Sequence, residues 1–148
     1  MRSSLLLVSY IYINNFLYQD MIEKISEGIR ITVQTRYQPE FSNPANSEFM
    51  FAYKIFITNN NEFPIQLLSR QWHIFDSIGV HRDIEGEGVV GEQPIIQPGN
   101  TYHYTSGCNL NSEMGKMSGT YSLINLHNKK SITALIPAFD LVTDFKQN

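Results

Sequence analysis

The most constraining feature of the sequence is a recurring alternation of apolar and polar residues, closed by turn residues at intervals of about 8–12 positions. Ile29, Ile31 and Val33 alternate with polar residues, and Tyr121 and Leu123 do so further along the chain. This period of two is that of a β-strand, and no segment has the pattern of a helix of ordinary length. About seven or eight such strands predict an all-β chain that folds as an antiparallel β-sandwich.

Two of the predicted strands have informative irregularities. Residues 49–57 carry apolar residues on both faces, which predicts a central strand covered on much of each side. The apolar phase slips within residues 65–75, which predicts a β-bulge near residues 69–71. A turn follows, and residues 80–85 are expected to run back as a short hairpin partner.

Composition excludes several classes of protein. The 148 residues fit one domain, and the formal net charge of −3 argues against an electrostatic nucleic-acid binder, which needs a basic face. Cys108 is the single cysteine, so neither an intrachain disulfide nor a paired-cysteine metal site can form. This fits a reducing compartment, and we expect Cys108 to be a small buried thiol rather than a nucleophile.

Residues 1–20 differ from the rest of the chain. Arg2 precedes a short apolar run that resembles the start of a signal peptide, but no matching cleavage pattern follows and the run is too short to span a bilayer. We interpret this stretch as an over-extended start ahead of Met21, with a degenerate export signal or an amphipathic tail as the alternatives. The predicted organisation is therefore an N-terminal extension at 1–20 and a sandwich domain at 21–148.

A glycine-rich loop, residues 86–91, matches the G-x-G-x-x-G pattern through Gly86, Gly88 and Gly91. In dinucleotide-binding folds this pattern opens a helix whose N-terminus holds the pyrophosphate. Pro94 and Pro98 forbid such a helix here, and the neighbouring glutamates oppose a phosphate group. The sequence thus favours a tight turn between strands over a nucleotide site.

A further interpretation gives the same loop a ligand without a helix. Consecutive backbone N–H groups in such a loop can form a small anion nest, and Arg70 or Arg82 would supply the countercharge. The predicted ligand- or partner-binding residues are therefore Gly86, Gly88, Gly91, Arg70 and Arg82.

One strand face could also bind a divalent cation. His81, Asp83 and Glu85 share a face if residues 80–85 are extended, and imidazole and carboxylate groups suit such an ion. The alternative is an ordinary solvated strand edge. No nucleophile motif is present, so we assign no catalytic residue, expect no cofactor and predict that the protein is not an enzyme.

Six short segments with distinctive sequences follow one another between about Gly28 and Leu141. They are Ile65–Trp72, Glu85–Pro94, Pro98–Gly99, Tyr104–Gly107, Met117–Tyr121 and Ile136–Phe139. Together they resemble the ApaG family of small bacterial proteins, whose domain also forms the C-terminal part of some eukaryotic F-box proteins and occurs in a polymerase-interacting protein. Residues 1–20 lie outside the resemblance.

The resemblance implies a fibronectin type III-like β-sandwich and a cytoplasmic protein associated with cobalt and magnesium efflux or resistance. It supplies no catalytic residues. Because the chain has no stretch long enough to cross a membrane, a role in efflux would be indirect. We therefore expect a non-catalytic protein–protein interaction module, with a small-ligand or divalent-metal and phosphate sensor at the glycine-rich loop as the alternative. The partner, and whether the chain forms a homodimer through an edge strand, are left open.

Overall fold

The alternating segments form nine β-strands in the computed structural model, which describes residues 21–146. The strands are β1 (Ile22–Ser26), β2 (Ile29–Tyr37), β3 (Phe49–Asn59), β4 (Ile65–Asp76), β5 (Val80–Glu87), β6 (Ile95–Ile96), β7 (Thr101–Leu110), β8 (Met114–Asn125) and β9 (Ser131–Val142). Single-turn 3₁₀ helices lie at Pro39–Phe41, Pro44–Asn46 and Asp144–Lys146, and the described residues contain no α-helix. The predicted extension at 1–20 lies outside the described residues.

The strands form two antiparallel sheets that pack face to face. One sheet has the order β1-β2-β3-β7, and the other has the order β5-β4-β8-β9, with β6 pairing with the start of β4. The predicted antiparallel sandwich of the fibronectin type III class is confirmed. As predicted, β3 is central, because it lies between β2 and β7. No helix in residues 21–146 has the length and apolar character that crossing a bilayer requires.

Aromatic side chains from both sheets meet in the core. Trp72 on β4 is 2% exposed, and its ring lies 5.4 Å from that of Tyr53 and 5.9 Å from that of Phe139, centroid to centroid. The hydroxyl groups of Tyr104 and Tyr121 form a buried hydrogen bond between β7 in one sheet and β8 in the other. Trp72 is therefore a core anchor, and the tyrosine pair ties the two sheets together.

A register shift in β4 decides which of its side chains face the interior. The shift lies between Leu67 and Ser69, slightly earlier than the predicted bulge. After it, Arg70 is in phase with the buried residues Trp72 and Ile74. The bulge thus places an arginine on the apolar face of the strand.

One side of the sandwich is sealed by the turn between β1 and β2. Glu27 and Gly28 both have positive φ, 49° and 76°, as a two-residue type I′ hairpin requires. This turn covers the edge of β9, because the carboxylate of Glu27 accepts the N–H of Thr133 at 3.1 Å and the hydroxyl of Ser26 accepts the N–H of Leu135 at 2.9 Å. The opposite side, where β5 and β7 end their sheets, has no such turn against it in the described chain.

Candidate functional site

Arg82 joins the two sheets on the side where β5 and β7 are the edge strands. It pairs in register with the buried Ile74, so its side chain points into the space between the sheets. Its Nη2 atom donates to the carbonyl oxygen of Asn109 on β7 and lies 3.6 Å from the sulfur of Cys108. Arg82 therefore links β5 to β7 through its side chain, without a strand-to-strand ladder between the two strands.

Arg70 also points inward, and it holds the start of the glycine-rich loop. Its Nη1 atom donates to the carbonyl oxygens of Glu87 at 3.1 Å and Gly88 at 2.8 Å. Arg70 pairs in register with Gly86 on one side and with Tyr121 on the other. The guanidinium occupies the space that a side chain at position 86 would need.

A pocket of about 180 Å³, called the cleft below, opens between the sheets beside these two arginines. Its lining includes Arg70, Arg82, Tyr53, Trp72, Ser106 and Cys108, together with several aliphatic side chains and no carboxylate. A second, shallower hollow on the other side of Arg70 is lined by Glu85 and Glu87. The cleft is therefore positively charged, and the outer hollow carries negative charge.

Burial controls the titratable groups of the cleft. Burial raises the pKa of the Cys108 thiol, and the nearby Arg82 guanidinium only partly offsets this effect. Burial likewise raises the pKa of Tyr53, against a smaller lowering by its hydrogen bond with Ser106. Cys108 is thus a buried, protonated thiol at neutral pH, as the sequence predicted for its burial.

In the glycine-rich loop, the backbone N–H groups of Gly88 and Val89 donate to carbonyl oxygens of the protein itself. The N–H of Gly88 donates to Leu68 at 2.8 Å, and Val89 and Glu92 exchange N–H···O bonds of 2.8 and 2.9 Å. Val89 is fully buried and anchors the loop in the core. Since the loop also turns two of its carbonyl groups toward Arg70, an anion at this position would meet side-chain donors rather than these backbone groups.

The fold brings part of the predicted binding set together. Arg70 and Arg82 line the same cleft, and Gly86 and Gly88 contact Arg70. Gly91 lies apart on the exposed tip of the loop, where a Cβ atom would have nothing within 4 Å. The two arginines are therefore the predicted residues that share a cavity.

The predicted cation ligands on β5 have other partners. Nδ1 of His73 lies 2.6 Å from the carboxylate of Asp83, and Nε2 of His73 lies 3.0 Å from His81. Glu85 accepts a hydrogen bond of 2.7 Å from Gln71. Within residues 21–146, no group of three or more His, Cys, Asp or Glu side chains is arranged to hold a metal ion. The cation site on this strand stays a prediction.

Sequence reasoning did not name Tyr53, Ser106 or the indole of Trp72 as parts of a site. Ser106 carried a usable signal, because it has the same phase on β7 as the buried residues Tyr104 and Cys108. A polar residue among inward positions indicates a polar interior site. The cleft also depends on β5 of one sheet facing β7 of the other, and no local sequence pattern predicts that arrangement.

Comparisons with known proteins agree with this architecture. The family model for the ApaG domain matches residues 39–125. The proteins named ApaG from Methylobacterium radiotolerans and Sinorhizobium fredii are 43% and 39% identical to this chain over 121 residues, which cover 82% of this chain and 92% of each relative. The crystal structure of an ApaA protein from Bordetella pertussis is similar, with a TM-score of 0.76 and 39% identity over 78% of this chain and 94% of that one. The resemblance seen in the sequence is thus confirmed, and the chain belongs to the ApaG domain family.

Proposed function

We propose that this ApaG-family domain is a non-catalytic binding module that takes up an extended segment of a partner protein as an additional strand on β5. The observation that carries the proposal is the contrast between the two sides of the sandwich. The β9 edge is covered by Ser26 and Glu27, whereas β5 pairs with β4 alone and ends its sheet. An unpaired edge presents a row of backbone donors and acceptors, which is the surface that strand addition uses.

Apolar side chains support a docking role for this edge. Val80 and Ile84 on β5 are 46% and 40% exposed. Ile78 before the strand, Val90 in the glycine-rich loop and Ile95 after it are exposed as well. Exposed apolar residues on and around an edge strand favour a protein-binding role.

Charge indicates what kind of segment would fit. Asp83, Glu85 and Glu87 lie on β5, and Glu92 follows directly after the glycine-rich loop. The partner segment would therefore be basic and rich in β-branched residues. The same carboxylates disfavour pairing of β5 with a second copy of itself, since like charges across a strand pair repel.

Under this proposal, the association of the family with cobalt and magnesium homeostasis is indirect. In it, the domain works in the cytoplasm, and an effect on cobalt or magnesium homeostasis passes through the bound partner. The names of the relatives state no reaction, and the buried Cys108 thiol lacks the thiolate character of a nucleophile. These points support a binding role over an enzymatic one.

The test uses a ten-residue peptide of alternating lysine and valine, with an alternating glutamate and valine peptide as its control. Both are titrated into the full chain and followed by ¹H–¹⁵N correlation spectra and amide exchange. We expect the basic peptide to shift signals along residues 80–87 and to slow amide exchange there. Binding that centres on another strand, or an equal response to the acidic peptide, would overturn the proposal.

A charge-reversal pair sharpens the experiment. Glu85→Lys combined with Glu87→Lys should weaken binding of the basic peptide by about fivefold or more, because the steering charge is inverted. Glu23→Lys on β1 makes one comparable change on an exposed strand of the other sheet and should leave binding unchanged. An equal loss in both variants would point to net charge alone rather than to β5.

A further inference from the structure

The cleft holds more hydrogen-bond donors than its own acceptors satisfy. Arg70 and Arg82 both line it, and each guanidinium carries five N–H groups and a permanent positive charge. The bonds made by Arg70 go through Nη1 to two carbonyl groups, and those made by Arg82 go through Nη2. In the described part of the chain, neither arginine forms an ion pair with a carboxylate.

Trp72 borders the cleft beside the two arginines. Its side chain lines the cleft and is 2% exposed, yet its indole Nε1 is a buried donor without a hydrogen-bond partner among the described residues. An indole N–H can only donate, and buried donors in native proteins are normally paired. Because Nε1 is itself inaccessible to solvent, the ring of Trp72, rather than its N–H, borders the open volume of the cleft.

The carboxylate of Asp76 does not neutralise the arginines of the cleft. Asp76 acts electrostatically on Cys108, but it is not among the residues that line the cleft. Its carboxylate already accepts the N–H of Asn111 and the hydroxyl of Ser112. Inside the cleft, the charge of the two arginines thus has no carboxylate beside it, whereas Glu85 and Glu87 lie in the hollow on the other side of Arg70.

We infer that the cleft binds a small oxyanion, of the phosphate or carboxylate class, between Arg70 and Arg82, beside the indole ring of Trp72. The guanidinium group suits both classes because its planar fork donates two parallel hydrogen bonds to their oxygens. The volume of about 180 Å³ admits a compact anion and excludes a dinucleotide. The aliphatic side chains of Ile74 and Ile84 also line the cleft, which suits an anion that carries a small apolar body.

This inference does not depend on strand addition at β5. It also places the ligand beneath β5 in the cleft, rather than on the backbone of the glycine-rich loop. The ligand is placed in the cleft because Glu85 and Glu87 would repel an anion in the hollow on the other side of Arg70.

The single tryptophan of the chain provides the reporter. The indole N–H of Trp72 gives one signal in a ¹H–¹⁵N correlation spectrum of the full chain, and inorganic phosphate is titrated at constant ionic strength against chloride. We expect this signal to move saturably, with half-saturation below about 10 mM, as a weak specific site requires. No saturable movement up to about 100 mM, or the same movement with chloride, would overturn the inference.

Arginine substitutions test which side chain binds the phosphate. Arg82→Met should weaken phosphate binding by about tenfold or more, whereas Arg30→Met, which removes the same charge from β2, should leave it unchanged. If Arg82→Met does not fold, Arg82→Lys decides the point, because it keeps the charge and loses the planar fork. Affinity equal to that of the unaltered chain in a folded Arg82 variant would contradict the assignment.

A parallel titration with acetate distinguishes the two classes of oxyanion. Saturable movement with phosphate alone assigns the site to a tetrahedral anion, and movement with acetate alone assigns it to a carboxylate. The melting temperature supplies a second reading, since a ligand that binds only the native state raises it progressively as the ligand concentration increases. A thermal response without movement of the indole signal would place the anion elsewhere and overturn the inference.

Discussion

The guanidinium of Arg70 occupies the space where a side chain at position 86 would lie, since a Cβ atom on Gly86 would stand 2.8 Å from Nη1 of Arg70. Gly86→Ala should therefore displace the arginine from the carbonyl groups of Glu87 and Gly88. We expect a loss of about 1.5–3 kcal/mol in the free energy of unfolding, the range for hydrogen bonds to charged groups. Urea denaturation measures the loss. In an Arg70→Met background the same alanine should cost less, and equal costs in the two backgrounds would contradict the proposed contact.

The other two glycines of the loop should respond differently from each other. Gly88 and Gly91 both have positive φ, 61° and 81°, but a Cβ on Gly88 would overlap the carbonyl oxygen of Glu92, and one on Gly91 would meet nothing within 4 Å. Gly91→Ala should cost about 1–2 kcal/mol, the penalty for a left-handed residue. Gly88→Ala should cost more and should also shift the amide signals of Val89 and Glu92. Equal unfolding free energies for the two variants would show that the overlap is absent.

The hydrogen bond between Tyr104 and Tyr121 should behave as a coupled pair. Tyr104→Phe or Tyr121→Phe leaves one buried hydroxyl without its partner, which we expect to cost about 1–3 kcal/mol. The double variant removes both hydroxyl groups and should cost less than the sum of the single changes. Urea denaturation of the four proteins gives the coupling. Additive losses would mean that the two hydroxyl groups do not stabilise each other.

Alkaline pH should weaken the fold through the same two residues. Burial raises the pKa of both Tyr104 and Tyr121 above the ordinary value of 10.0 for tyrosine. The folded protein therefore keeps protons that the unfolded chain releases, so their contribution is complete below about pH 10 and declines as the pH rises above it. The slope is at most about 1.4 kcal/mol per pH unit for each tyrosine. Unfolding free energies between pH 8 and 11 should fall less steeply in the double phenylalanine variant, and parallel curves would contradict this origin.

Removing the cover of β9 should create a self-associating protein. Ser26→Ala with Glu27→Asn leaves the N–H groups of Thr133 and Leu135 unpaired, while asparagine still accepts the positive φ at position 27. We expect concentration-dependent dimers by sedimentation, because an uncovered edge pairs with another edge. Glu23→Gln, which changes an exposed carboxylate on β1 without touching β9, is the matched control. A mass unchanged from that of the unaltered chain at about 1 mM would refute this role of the turn.

Much of the fold could be predicted because its strands alternate strongly. The central position of β3 and the phase change in β4 could both be predicted from the sequence. The bulge lies between Leu67 and Ser69, slightly before the predicted residues 69–71. The first strand was not predicted, since Ile22 and Ile25 are exposed and do not alternate. The strand β1 forms because the Glu27–Gly28 turn folds it onto β2, so its existence depends on turn geometry rather than on burial.

The candidate site was predictable only in part. Arg70 and Arg82 were named as a countercharge for the glycine-rich loop, and the structure places both in the cleft. The donor at Trp72 was not anticipated, because an indole in an apolar strand gives no indication of whether its N–H finds an acceptor. The contact from Arg82 to Asn109 crosses 27 positions and two sheets, and periodicity within a strand cannot report it.

The covered edge at β9 leaves the sheet that contains β5 with one open edge. A sandwich with two open sides could add a strand on each, and copies could then link into a growing filament. Here Ser26 and Glu27 cover the far edge of the sheet that contains β5, so an assembly that begins at β5 is not continued through β9. A domain of this kind can be abundant, or be joined to other domains, without cross-linking its partners through this sheet.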